Sequence, residues 1–117
     1  MDTQLKEIRY YHTLDGTCPF LEWFARLKDR EAQARIDARL ARLRSGNPGD
    51  VKIVGGGVSE LRVDYGPGYR VYFAMAGKKL VVLLYGGDKR NQAADIRQAK
   101  KYWADYQWRI SESKEES

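Results

Sequence analysis

The chain has one cysteine, one histidine and three prolines in 117 residues, and no apolar run approaches the length of a membrane span. A lone Cys18 excludes an intrachain disulfide and a cysteine-based metal cluster, and it fits a reducing cytoplasm. A lone His12 excludes any site that needs two histidines, and its place at the end of the first strand suggests a surface side chain. The opening residues, Met-Asp-Thr-Gln-Leu-Lys, lack the apolar core of a signal peptide, so no leader is expected. The length suits one domain with a single core, taken as residues 1–110, followed by a polar, disordered tail over 111–117.

Charge is plentiful and unevenly spread. Residues 51–110 hold 11 basic against 5 acidic side chains, while residues 1–50 hold 9 against 8. A basic C-terminal half favours a polyanionic partner such as RNA, although a basic surface alone does not demand one.

Periodicity orders the chain as β-α-α-β-β-β-β-α. Glu7 to His12 is a short strand. Pro19 opens a helix with Phe20, Phe24 and Leu27 on one side. After a break at Lys28–Glu31 a second helix carries Ile36, Leu40 and Leu43, with a parallel stripe of Arg35, Arg39 and Arg42. That stripe reads better as a solvated face with charge support from Glu31 than as a docking surface. Gly46, Pro48 and Gly49 end the helix. Val51–Val54 is a short strand, and Gly55-Gly56-Gly57 reads as a tight connection, since no Lys-Ser/Thr follows to make a phosphate loop. Leu80–Tyr85 is apolar on both parities and should be the most buried strand, ending at Gly86-Gly87. A last helix spans about Asn91 to Trp108. This is an α+β domain, an antiparallel twisted sheet with two N-terminal helices and one C-terminal helix, the helices packed on one face.

The organising element is the hairpin from Val58 to Met75. Leu61, Val63, Val71 and Phe73 alternate with Glu60, Arg62, Asp64, Arg70 and Tyr72. A three-residue loop, Gly66 to Gly68, would oppose Val63 to Val71, Arg62 to Tyr72, and Asp64 to Arg70, keeping apolar residues on one face. The polar face, with two arginines, is expected to be open, a first hint of phosphate chemistry.

Beyond these patterns, a set of residues resembles a known family. Trp23-Phe24, Leu27-Lys28-Asp29, Arg39-Leu40, Gly46-Asn47, Gly49-Asp50, Lys52, Glu60-Leu61-Arg62, Asp64, Gly66 to Tyr72, Gly86 to Lys89, Gln92 and Asp95-Ile96 together look like the RelE/ParE toxin superfamily. Within it they are most similar to the HigB-like branch of addiction-module killer proteins. The resemblance covers about Ile8 to Trp103. It implies a RelE-like fold and a type II toxin: on the RelE side a ribosome-dependent endoribonuclease that cuts messenger RNA without metal or cofactor, on the ParE side a gyrase poison with no nuclease activity. It also implies a cognate antitoxin, in this branch a small helix-turn-helix protein.

The resemblance points to Arg70 as the holder of the scissile phosphate. Arg62 would grip the same charge from the neighbouring strand. Lys89, with Arg90, follows the buried strand and supplies a candidate general acid; Lys52 is a candidate base or phosphate clamp, and Arg90 and Tyr72 are candidate RNA contacts. Two departures stand out. The tyrosine that RelE-type enzymes carry in the last helix has no clear counterpart, Tyr85 and Tyr102 being the nearest. Glu60 and Asp64 are acids among the cations, and either could be the base. Against these roles stand simpler ones: Asp64 and Arg70 as a cross-strand ion pair, Asp88 and Lys89 as a helix cap.

Overall fold

The structure is a computed structural model that describes residues 5–116, with side chains to residue 114. Part of the opening segment read above for a leader, and Ser117, lie outside the described residues. Five strands, β1 (Glu7–Tyr10), β2 (Val51–Gly55), β3 (Val58–Val63), β4 (Tyr69–Ala76) and β5 (Leu80–Asp88), form one sheet in the order β1-β5-β4-β3-β2. Three helices, α1 (Pro19–Arg26), α2 (Arg30–Arg44) and α3 (Gln92–Glu116), complete the α+β domain. The sheet is mixed rather than purely antiparallel, because β1 runs parallel to β5.

The local signals explain most of these elements. Asp29 caps α2, its carboxylate accepting from the Glu31 and Ala32 amides. Val81, Val82, Leu83 and Leu84 are all fully buried, as the two-sided apolarity of β5 requires. Gly86 and Gly87 do not end that strand but lie inside it. The tail read as disordered continues α3 as far as Glu116.

The helices occupy both faces, not one. Phe20, Ile36, Leu40 and Leu43 of α1 and α2 pack on Leu61, Val63, Val71 and Phe73. Ala99 and Trp103 of α3 pack on Val58, Tyr72, Ala74, Val82 and Leu84 from the other side. The polar face of the hairpin is therefore roofed by α3, where an open face was expected. Its Gln92–Ile96–Ala99–Trp103 stripe demands a surface to cover, and the first face is already taken.

The hairpin register also differs. Arg62 opposes Arg70, Leu61 opposes Val71 and Glu60 opposes Tyr72, two residues from the expected pairing. The loop is longer because Tyr65 leaves the ladder. Its hydroxyl donates to Asp29 at 2.8 Å, and the Arg35 guanidinium lies 4.6 Å over its ring. A shift of two residues preserves parity, so the apolar and polar sets stay together. It does dissolve the expected Asp64–Arg70 pair: Asp64 is exposed in the loop.

Candidate active site

Hydrogen-bonded strand neighbours place side chains in rows across the α3 face. One row runs Lys52, Glu60, Tyr72, Tyr85. The next runs Arg62, Arg70, Gly87. The roof begins at Gln92, so the second row sits at its rim. Two arginines in direct opposition repel each other, and something must offset them.

Glu60 does so. It is fully buried, and the Arg62 Nε donates to its Oε1 at 3.1 Å. The Arg70 Nε sits 3.4 Å from Oε2, an ion pair not aligned as a hydrogen bond. Gln92 donates to Oε2 at 2.7 Å and the Tyr72 hydroxyl at 3.3 Å. Both Glu60 carboxylate oxygens are engaged by neighbouring donors. Glu60 is thus a hub that orients the two arginines. With each Nε turned to the hub, the Arg62 fork and one fork nitrogen of Arg70 are left for another anion. Arg70 anchors one fork nitrogen on the Gly68 carbonyl at 2.9 Å. Its side chain is 11% exposed and that of Arg62 34%, so the pair is partly sheltered but reachable.

The third place in the row belongs to a residue that was not counted as chemistry. Gly87 has no side chain, and Asp95 of α3 fills the gap: a Cβ on Gly87 would lie 2.0 Å from Asp95 Oδ2. Asp95 is half-buried and receives no hydrogen bond and no ion pair among the described residues. Burial, and then the charge of Asp88, push its carboxyl up to about 6. The row therefore reads cation, cation, carboxylate, with neighbouring strands about 4.8 Å apart. Glycine inside a buried strand was the available signal, because it marks close approach by another group.

The other expected residues are distributed as follows. Lys89 is exposed in the 3-10 turn after β5, and its Cβ and an Arg70 fork nitrogen both lie against Gly68, at 3.6 and 3.2 Å from a Cβ placed there. Lys52 opposes Glu60 on the edge strand, exposed and one row away from the arginine pair. Arg90 is engaged by Asp88, which accepts from its Nη2 at 2.8 Å and from its amide at 2.9 Å. Asp88 thus caps the 3-10 turn Lys89–Asn91, not the last helix as the simpler role had it, and Lys89 lies within that turn. Tyr72, expected to meet RNA, is fully buried; burial and Glu60 hold its phenol well above the usual range, as a neutral donor. The stripe on α2 is structural: Arg39 donates to the Arg62, Pro48 and Asp50 carbonyls, and Arg35 pairs with Glu31.

Fold and cluster together define a RelE-like α+β domain with a cationic cluster at the N-terminal rim of its last helix. The family profile described as phage derived protein Gp49-like matches residues 22–104, which contain every residue of the cluster. The chain belongs to this family, a RelE-like family of toxins from toxin–antitoxin systems, and the family implies an antitoxin partner. It is also similar to an uncharacterized protein of Haemophilus influenzae, 51% identical over 84 residues, which span 72% of this chain and 85% of that protein. No helix among the described residues is long and apolar enough to cross a membrane.

Proposed function

We propose that this protein is a HigB-like toxin that cuts messenger RNA on the ribosome by metal-free acid–base chemistry. A helix-turn-helix antitoxin would neutralise it, and both would act in the cytoplasm. The observation that carries this reading is the Arg62–Arg70 pair on adjacent strands, with the unpaired Asp95 carboxylate set against Gly87 on the next strand.

Cleavage breaks a phosphodiester at its 5′-oxygen by attack of the adjacent 2′-oxygen. Arg62 and Arg70 bind the non-bridging oxygens and stabilise the charge that builds in the transition state. Asp95 takes the 2′-hydroxyl proton as the O2′–P bond forms. Lys89 gives a proton to the 5′-oxygen as the P–O5′ bond breaks. A carboxyl near 6 is basic enough to accept a proton and is still ionised at neutral pH. A ribosome that holds the transcript in line would supply the positioning of the ribose.

The test is primer extension on total RNA after induced expression. Cuts inside translated codons, lost in Asp95→Asn, support the reading. Trapped gyrase–DNA breaks with intact transcripts would replace it with the ParE-like activity.

A further inference from the structure

A second feature adjoins this row. β1 pairs with Leu80 to Leu83 and departs after Tyr11, so among the described residues the outer edge of β5 from Tyr85 onward has no strand beside it. Between α1 and α3 this edge opens into a cleft of about 620 Å³. Its walls are aromatic: Trp23 from α1, Tyr85 from β5 and Tyr102 from α3. The indole is fixed in place, since Gly86 lets it lie against the strand; a Cβ there would be 2.1 Å from the ring. Tyr85 and Tyr102 meet edge to face at 5.7 Å.

The rim differs from the walls. Glu22 and Arg26, one turn apart on α1, are exposed, and their side chains make no hydrogen bond or ion pair among the described residues. The hydroxyls of Tyr85 and Tyr102 also have no hydrogen-bond partner there. By contrast Asp15, at the mouth, is occupied by Thr13 and the Thr17 amide. A rigid aromatic pocket with a few convergent, unspent polar groups is what a small planar ligand requires.

We propose that this cleft is a nucleobase subsite for the nucleotide next to the cut, with guanine as the best-matched base. The proposal rests on the nuclease reading for its source of ligand. Unstacked bases of single-stranded RNA bind by stacking on aromatic rings while their edges are read by hydrogen bonds. Guanine presents acceptors on one edge, which suit Arg26, and N–H donors on another, which suit Glu22. Tyr85 lies two residues from Gly87, about 6.8 Å along β5, so a base in the cleft adjoins a phosphate at the arginine pair.

The experiment has two arms on the full chain. In the first, GMP, AMP, CMP and UMP are titrated while the Trp23 indole and the Tyr85 and Tyr102 ring signals are followed by NMR. GMP should shift these signals at the lowest concentration, and Glu22→Ala with Arg26→Ala should weaken it at least tenfold. In the second, cut sites are mapped in cells for the wild type and the same double variant, which should still cut but lose its base preference. Cutting with an unchanged site distribution, or cleft signals that answer to an oligo-arginine peptide and not to GMP, would overturn the subsite. GMP binding in a protein that cuts no RNA would keep the subsite and discard the nuclease.

Discussion

The buried side chains on the α1–α2 face of the sheet are all apolar, whereas on the α3 face Glu60, Tyr72 and Arg70 share the interior with Val58, Ala74, Val82 and Leu84. The first face does one thing: it removes apolar surface from water, at roughly 25 cal/mol per Å². The second must also hold charges, and each buried charge needs partners to offset its desolvation. The difference shows how a small domain divides labour. One face stabilises the fold, so the other can carry an anionic hub and a row of groups that is not optimised for stability.

The largest effect on this contrast should come from the first face. Leu61→Ala empties a fully buried position and should cost about 2–5 kcal/mol in denaturant unfolding. Its toxicity should fall only as the folded fraction falls. Next, Arg70→Ala removes a partner from a buried anion and should cost about 2–4 kcal/mol while abolishing growth arrest. Both losses should appear together, because the hub links the site to the core. Equal stability in Arg70→Ala and the wild type would contradict that link.

Asp95→Asn should move stability and activity in opposite directions. The folded value near 6 lies above the ordinary carboxylate value of 3.8, so the fold favours the protonated form. That contribution is fully present below about pH 4 and is lost as pH rises through 6. Neutral asparagine keeps it, so the variant should be more stable by about 1 kcal/mol at pH 7.5, after allowance for solvent screening. Its cleavage rate should fall by about 10²–10⁴-fold. The smallest structural effect belongs to Arg62→Ala, under about 1 kcal/mol because that side chain is one-third exposed, yet cleavage should still fall.

Much of the fold was legible because period and punctuation agree. Alternation on Leu61, Val63, Val71 and Phe73 identified the core face of the hairpin, and Pro19 and the break at Lys28 separated the two first helices. The register was not legible, because it depends on Tyr65 docking on Asp29, a contact 36 residues away. The roof was missed for a similar reason. The apolar stripe of the last helix can be seen in sequence, but which face it covers is decided by α1 and α2 having filled the other. Arg62 and Arg70, singled out by the hairpin pattern and the resemblance, oppose each other, Lys89 lies beside Arg70 at Gly68, and Lys52 stands one row off. Asp95 was given no chemical role because its environment is created by an absent side chain at Gly87.

The most direct test of the row is the pH dependence of single-turnover cleavage of ribosome-bound messenger RNA between about pH 5 and 8.5. The wild type should gain about tenfold per pH unit up to a point near 6 and then level off, with the acidic limb gone in a slow Asp95→Asn variant. The same limb at full rate in Asp95→Asn would show that the proton goes elsewhere and that the carboxylate beside the two arginines takes no part in the reaction.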